Sequence, residues 1–308
     1  MISTRYFSGL FILAFLFFVT PKASASESFI TTSDGVKLYV KVKGQGTPLL
    51  YLHGGPGSGS FWFEEFFGDF MESQFTVVYL DQRGVGRSTS PANKDFSLER
   101  QLKDYEEIRE QLGYDSWLTL GHSFGGILQT AYANAYPKAT KGMLMINTTL
   151  YLTDSFCNSW SPKAAEFLGE TIPDCATDTI PLRERMGMHI NKLREKDLFW
   201  KMAFAVKKND SVMNATYAGF ENWNHEYSSV AMDNEEHWKD FRNDAQNINV
   251  PVLFFYGTQD WMVGPEHYKG INFPEMLLWK ANSGHIPFLE ARPELEKAVL
   301  TYRKNFGF

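Results

Sequence analysis

Residues 121–126 read Gly-His-Ser-Phe-Gly-Gly, and this segment is the strongest indicator of the architecture. It directly follows the apolar run Trp117–Leu120 and directly precedes a helical pattern over Ile127–Tyr136. A Gly-x-Ser-x-Gly sequence between a strand and a helix is typical of a nucleophile elbow, the sharp turn that presents a serine at the edge of a parallel sheet. The pattern therefore predicts Ser123 as a nucleophile at a helix N-terminus, where the helix dipole favours developing negative charge. The alternative is that Ser123 only caps the helix.

Short apolar runs alternate with helical patterns on both sides of this segment. The apolar runs are Leu38–Val42, Pro48–Leu52, Phe75–Leu80, Gly142–Ile146 and Val252–Tyr256. Such alternation indicates βαβ units and a mainly parallel sheet that is buried on both faces. Together with the elbow it predicts an α/β class chain with the α/β-hydrolase fold, in which helices cover both faces of the central sheet.

The alternation stops between residues 150 and 249, where the sequence is richer in Trp, Asn, Met and Lys and is typical of several short helices. We therefore predict a helical cap over residues 150–249 that folds over the active site. The core domain is then formed by residues 26–149 and 250–308.

The first 25 residues have the pattern of a secretory signal peptide. Arg5 precedes an uncharged apolar run over Leu10–Val19, and Ala23-Ser24-Ala25 offers small residues at a cleavage site. A run of about ten residues is too short to span a bilayer core of about 30 Å, so cleavage after Ala25 is favoured over a stable membrane anchor. The expectation is an exported protein, either periplasmic or secreted.

The composition excludes some classes of function. The chain has 308 residues, 44% of them hydrophobic and 16% aromatic, which is sufficient for one large core and argues against disorder. Its formal net charge of −6 supplies no basic surface for nucleic acid. Export would permit a disulfide between Cys157 and Cys175, although the sequence does not show that they approach each other. Neither cysteine lies in a metal-binding spacing, and the oligomeric state stays open.

A serine hydroxyl needs a base and a group that orients the base. In this fold the chain order is serine, acid, histidine. His285 lies in Ser-Gly-His-Ile-Pro before the last helical pattern, and Asp260 follows the strand Val252–Tyr256. We therefore predict the catalytic triad Ser123, Asp260 and His285, with Asp154 and Asp178 as weaker candidates for the acid.

Residues 53–57 read His-Gly-Gly-Pro-Gly directly after an apolar run. We predict that the backbone N–H of Gly55 forms an oxyanion hole with that of Phe124, and that Gly54 lies in the substrate-binding region. A tight turn that needs a positive φ explains the same glycines, and both interpretations can hold together. His53 is interpreted as structural.

Residues 81–88 read Asp-Gln-Arg-Gly-Val-Gly-Arg-Ser after another strand. A phosphate-binding loop is excluded, because the glycines do not lead into a helix through a Lys-Ser/Thr pair. We interpret the segment as a buried, hydrogen-bonded turn.

The combination of HGGPG, DQRGVGRS, GHSFGG, GTQD and SGH resembles the prolyl aminopeptidase (proline iminopeptidase) family of α/β-hydrolase fold serine peptidases. The resemblance extends from about residue 36 to the C-terminus and is weakest in the cap. It implies hydrolysis of an N-terminal residue, often proline, from a peptide. It also implies Ser123, Asp260 and His285 as the triad, Gly55 and Phe124 as the oxyanion hole, and no metal or organic cofactor.

Two departures from the family pattern matter for the substrate. The family usually has Gly-Gly-Ser-Trp-Gly at the elbow, where this chain has Gly-His-Ser-Phe-Gly. Family members bind the substrate amine with cap glutamates, one of them after a Trp; the nearest equivalents here are Glu221, in Phe-Glu-Asn, and Glu226. These two carboxylates are candidates to pair with a substrate ammonium, or they are solvated acids on a helix.

These observations leave two candidate classes of function and disfavour two others. An exopeptidase requires an acidic, closed pocket for a free amine. An esterase or lactonase would use the same machinery with an apolar acyl pocket. An epoxide hydrolase or dehalogenase is disfavoured, because the resemblance would require Asp at position 123, and a binding module would be expected to lack part of the triad.

Overall fold

The computed structural model describes residues 26–172, 174–216, 220 and 222–308, and the predicted signal segment 1–25 lies outside the described residues. One sheet of eight strands has the order β1-β2-β4-β3-β5-β6-β7-β8. The strands are β1 Ser26–Thr31, β2 Lys37–Gly44, β3 Pro48–Leu52, β4 Thr76–Leu80, β5 Trp117–His122, β6 Thr140–Ile146, β7 Val252–Gly257 and β8 Met276–Ala281. Strand β2 pairs antiparallel with β1 and β4, and the remaining pairs are parallel. The predicted α/β-hydrolase fold with a mostly parallel sheet is confirmed.

Helices follow the strands of the core and fill the long interval between β6 and β7. The core helices are α1 Phe61–Gln74, α2 Leu98–Gln111, α3 Gly125–Ala135, α11 Pro287–Glu290 and α12 Arg292–Phe306. The α-helices between β6 and β7 are α4 Leu152–Ser155, α5 Ser161–Leu168, α6 Leu182–Glu195, α7 Trp200–Ala203, α8 Lys207–Thr216, α9 Glu226–Val230 and α10 Arg242–Ala245. A π-helical turn, Phe156–Trp160, joins α4 to α5.

The sheet separates two hydrophobic clusters, one on each face. Helices α2 and α3 pack on one face, and α1 and α12 pack on the other. Every residue of β5 is buried, as the apolar run that precedes the elbow predicts for a central parallel strand. The segment of Ser123 therefore directly follows a fully buried strand in the interior of the sheet.

The interval between β6 and β7 carries a disulfide between Cys157 and Cys175, whose Cα atoms lie 5.7 Å apart. The bond links the π-helical turn to the segment before α6 and closes a loop with a sequence separation of 18. Within the described part of the chain, no helix is long and apolar enough to cross a membrane.

Candidate active site

The elbow between β5 and α3 places Ser123 in a left-handed backbone conformation, with φ of +55°. Its N–H donates to the carbonyl oxygen of Asn147 at 3.1 Å. The close approach of strand and helix requires glycine, because a Cβ on Gly125 would lie 2.3 Å from the carbonyl oxygen of Leu52. A non-glycine residue at positive φ and a steric requirement for glycine beside it are the features of a nucleophile elbow.

His285 and Asp260 meet at the carboxyl edge of the sheet, on the loops after β8 and β7. The Nδ1 atom of His285 lies 3.0 Å from each carboxylate oxygen of Asp260. Both residues are at least 95% buried, and Asp260 also accepts the N–H groups of Met262 and Val263. Since a carboxylate only accepts, Nδ1 of His285 carries a proton and Nε2 is left with a lone pair.

Among the described residues, neither the Ser123 hydroxyl nor Nε2 of His285 makes a hydrogen bond with a protein group. Contacts between a nucleophile and its base are often long before a substrate is bound, and they shorten in the complex. Within the described part of the chain, both groups are therefore without a competing protein partner.

The two rival acids lie elsewhere. Asp154 pairs with Nδ1 of His267 at 2.7 Å, and Asp178 pairs with Arg185. Of the three candidate acids, the structure brings only Asp260 to His285.

His122 connects the elbow to the loop of His285, a contact that the sequence analysis did not predict. Its Nε2 atom lies 2.8 Å from the carbonyl oxygen of His285, and the two rings are 4.7 Å apart. Burial, with a smaller contribution from the nearby imidazole of His285, lowers the pKa of His122 to about 3. His122 is therefore neutral and donates its Nε2 proton to that carbonyl.

The loop after β3 lies directly against Ser123. A Cβ on Gly54 would be 2.8 Å from Cβ and 3.4 Å from Oγ of Ser123. Gly55 has a φ of +112°, which favours glycine. Phe124 lies at the start of α3, where the first amides have no partner within the helix. The structure thus brings the loop of Gly54 and Gly55 to the elbow, with the amide of Phe124 beside Ser123.

His53 lies behind this loop and is fully buried. Its Nε2 atom accepts the N–H of Gln82 at 3.2 Å, and burial lowers the pKa of His53 to about 4. A neutral histidine with a backbone donor on one nitrogen is a structural residue here.

The segment 81–88 forms a network of buried charges beneath the loop. Asp81 accepts two hydrogen bonds from Ser60 and three from Arg87. Burial alone would raise the pKa of Asp81, but the hydrogen bonds and charge of Arg87 outweigh it and the pKa is lowered. Arg83 is fully buried and pairs with Asp104 at 2.6 Å. These contacts are those of a structural turn, as the sequence suggested.

Of the two predicted amine-binding glutamates, the structure describes Glu226, the first residue of α9. The carboxylate of Glu226 pairs with Lys94, and this ion pair lowers the pKa of Glu226. Glu221 lies outside the described residues. Phe220 packs on Phe61 with ring centroids 4.5 Å apart.

A metal site was not expected from the sequence. Within the described ranges, no group of three or more His, Cys, Asp or Glu side chains is arranged to hold a metal ion.

Two residues around the base, Asn147 and Glu290, were missed by the sequence analysis. Asn147 stands at the end of β6 and Glu290 at the end of α11. Most of their contacts are to backbone groups, which leave no pattern in the sequence, although the φ of +47° at Asn147 lies in the left-handed region that asparagine tolerates.

Comparisons with known proteins agree with this architecture. The model of the alpha/beta hydrolase fold family matches residues 47–292. A proline iminopeptidase of Saccharolobus solfataricus is 38% identical over 292 residues, which covers 86% of this chain and 88% of that protein. A proline iminopeptidase of Neisseria meningitidis is 37% identical over 122 residues, and the match spans only 39% of its length.

Solved structures give the same fold. A proline iminopeptidase-related protein from Thermus thermophilus superposes with a TM-score of 0.76 at 20% identity, covering 91% of this chain and 98% of that one. An esterase from Exiguobacterium antarcticum superposes with a TM-score of 0.67 at 20% identity, covering 91% of this chain and all of that one.

Fold and site together define a hydrolase of the α/β-hydrolase class. Within that class, the chain belongs to the proline iminopeptidase family, as the match over most of the Saccharolobus protein shows.

Proposed function

We propose that this protein is a serine aminopeptidase, which removes the N-terminal residue of short peptides through an acyl-enzyme intermediate and accepts proline at that position. The observation that carries the proposal is the buried pair of His285 and Asp260 beside the elbow of Ser123. Its support as a peptidase comes from the relation to proline iminopeptidases over most of the chain.

In this proposal the catalytic steps follow from the geometry. Nε2 of His285 takes the proton of Ser123 as Oγ attacks the scissile carbonyl, and then delivers it to the leaving amine. Asp260 holds the proton on Nδ1 and stabilises the imidazolium that forms. The amides of Gly55 and Phe124 donate to the oxyanion, and each such donor contributes about 3 kcal/mol to the transition state.

A substrate panel tests the peptidase assignment. We expect aminoacyl p-nitroanilides with a free amine, prolyl p-nitroanilide among them, to be hydrolysed at least about tenfold faster than their N-acetylated forms. A buried ionic contact to the ammonium would be lost on acetylation, which costs about 1.5–3 kcal/mol. Equal rates on free and blocked substrates would contradict the exopeptidase assignment, while leaving the nucleophile untouched.

The second candidate is an esterase or lactonase that uses the same three residues. Two observations favour it: the elbow reads Gly-His-Ser-Phe-Gly instead of the family's usual Gly-Gly-Ser-Trp-Gly, and Glu226 is already paired with Lys94. The same panel, extended by p-nitrophenyl acetate, separates the peptidase from the esterase. An esterase would hydrolyse p-nitrophenyl acetate rapidly and leave every amide uncleaved.

We further propose that the protein is exported and that residues 1–25 are removed after Ala25. The support is the composition of that segment and the disulfide, a bond that persists in oxidising compartments. N-terminal sequencing of the protein from its native source tests this. We expect Ser26 as the first residue, and a chain that begins at Met1 would contradict it.

A further inference from the structure

The dipeptide Gly284–His285, which carries the base, has all four of its polar backbone atoms hydrogen-bonded. On the core side, Nδ2 of Asn147 donates to the carbonyl oxygen of Gly284 at 2.8 Å, and His122 donates to that of His285 at 2.8 Å. On the cap side, the N–H of His285 donates to the carbonyl oxygen of Ala203 at 2.7 Å. The position of the imidazole therefore depends on groups from both the sheet and the cap.

Glu290 supplies the fourth contact and joins the two sides. Its Oε2 atom accepts the N–H of Gly284 at 2.8 Å. Its Oε1 atom accepts Nδ2 of Asn209 at 3.0 Å and the N–H groups of Ala205 and Val206 at 2.9 and 3.4 Å. One oxygen thus faces the peptide of the base, and the other faces the cap segment between α7 and α8.

Only a carboxylate can make this set of contacts. All four partners of Glu290 are N–H donors, so both side-chain oxygens must accept. A carboxamide presents one acceptor and one NH₂ group, and whichever way it turned, the NH₂ would face a donor. Hydrogen bonds to an ionised acceptor are also stronger than those between neutral groups.

We propose that Glu290 is a positioning residue that holds the Gly284–His285 dipeptide in place and couples it to the cap. The proposal rests on the proposed function only in taking His285 as the base. When the cap segment 203–209 is in place, Glu290 and Ala203 fix the backbone from which the imidazole projects. When the segment moves, two of the four contacts on that peptide loosen together, and the base moves away from Ser123.

The test compares Glu290→Gln with Glu294→Gln, which makes the same chemical change at an exposed site in α12. We expect Glu290→Gln to lower kcat by about 10- to 100-fold, with KM changed by less than about twofold, because a displacement of about 1 Å at the base is sufficient for such a loss. The rate at which a fluorophosphonate modifies Ser123 is expected to fall in parallel. Glu294→Gln is expected to match the parent, and the three proteins should share one thermal midpoint within a few degrees.

The coupling to the cap is tested by a double-mutant cycle with Asn209→Ala. We expect Asn209→Ala to lower kcat in the parent and to have no further effect once Glu290 is replaced. Independent effects of the two substitutions, an unchanged kcat in Glu290→Gln, or a loss explained by unfolding would each overturn the proposal.

The labelling rate keeps this test separate from the assignment of the substrate. If the parent hydrolyses only esters, the peptidase proposal fails, but the comparison of Glu290→Gln and Glu294→Gln still applies with p-nitrophenyl acetate. If the parent is active and labels normally and Glu290→Gln equals it, the positioning role alone is wrong.

Discussion

Among the described residues, Asp154 and Asp260 each pair with Nδ1 of a buried histidine, and the two histidines differ in what their second ring nitrogen contacts. Asp154 holds His267, whose Nε2 atom is occupied by the N–H of Leu150 at 3.0 Å. Asp260 holds His285, whose Nε2 atom is left without a protein donor in the described ranges. The free lone pair on the second nitrogen, more than the ion pair itself, distinguishes a base from a structural histidine.

These two pairs provide a matched test at the level of single residues. We expect Asp260→Asn to lower kcat by about 10³- to 10⁴-fold at pH 7, because a carboxamide can hold the imidazole in the wrong tautomer. Asp154→Asn is expected to change kcat by less than about threefold, although it also removes a carboxylate from a histidine. Steady-state kinetics on one substrate measure kcat for both variants. Equal losses of kcat would mean that the roles of the two pairs were misassigned.

The sequence was sufficient to predict that Asp260 and His285 meet, but not which residues hold the loop of His285. Ser123 and His285 lie in short motifs whose spacing reflects steric requirements, so they are visible in one sequence. Asn147 and Glu290 both contact the backbone of Gly284, which lies 137 and 6 positions away from them along the chain. Such contacts depend on where the loops meet, which only the folded structure shows.

At the level of elements, predicted and observed strands agree where an apolar run is buried on both sides. The run Pro48–Leu52 coincides with β3, and that at Val252 differs from β7 by one residue. Strand β1 was not predicted, because its sequence SESFIT is mostly polar and it lies at the edge of the sheet. The bounds of β8 were not predicted either. This strand lies at the other edge of the sheet, and more exposed and less exposed side chains alternate along it.

The elbow depends on steric fit at one glycine, and this gives a prediction about stability. We expect Gly125→Ala to lower the free energy of unfolding by about 2–3 kcal/mol, because its Cβ would overlap the carbonyl oxygen of Leu52. Gly187→Ala is the control, since Gly187 is exposed in α6 and its Cβ would meet nothing within 4 Å.

The control is expected to raise stability by about 0.5–1 kcal/mol, because alanine has a higher helix propensity than glycine. Urea unfolding followed by circular dichroism measures both variants. A Gly125→Ala protein as stable as the parent would show that β5 and α3 do not approach as closely as described.

At the scale of the whole molecule, buried neutral histidines make folding dependent on pH. His53 and His122 have pKa values of about 4 and about 3 because they are buried, whereas an unfolded histidine titrates near 6.5. Below about pH 6.5 the unfolded chain binds protons that the folded chain does not. Stability is therefore complete above pH 6.5 and falls with pH down to about 4, by up to about 1.4 kcal/mol per pH unit for each histidine.

This prediction is checked by urea unfolding at pH 7, 6, 5 and 4. We expect His53→Gln to be less stable than the parent at pH 7 but to lose less stability between pH 6.5 and 5, because one titrating group is removed. His225→Gln, at an exposed position, is expected to keep the slope of the parent. If the stability of all three proteins depended on pH with the same slope, His53 would take up protons as readily in the folded chain as in the unfolded chain.

Covalent modification of the folded protein tests the central claim most directly. The chain is incubated with a fluorophosphonate at neutral pH, and the adduct is counted and located by mass spectrometry. The account predicts one adduct per chain, on Ser123, formed slowly when His285 is replaced by Ala and absent in Ser123→Ala, which should also lack hydrolytic activity. Adduct formation at another serine, or a Ser123→Ala protein that hydrolyses substrates at the parent rate, would contradict it.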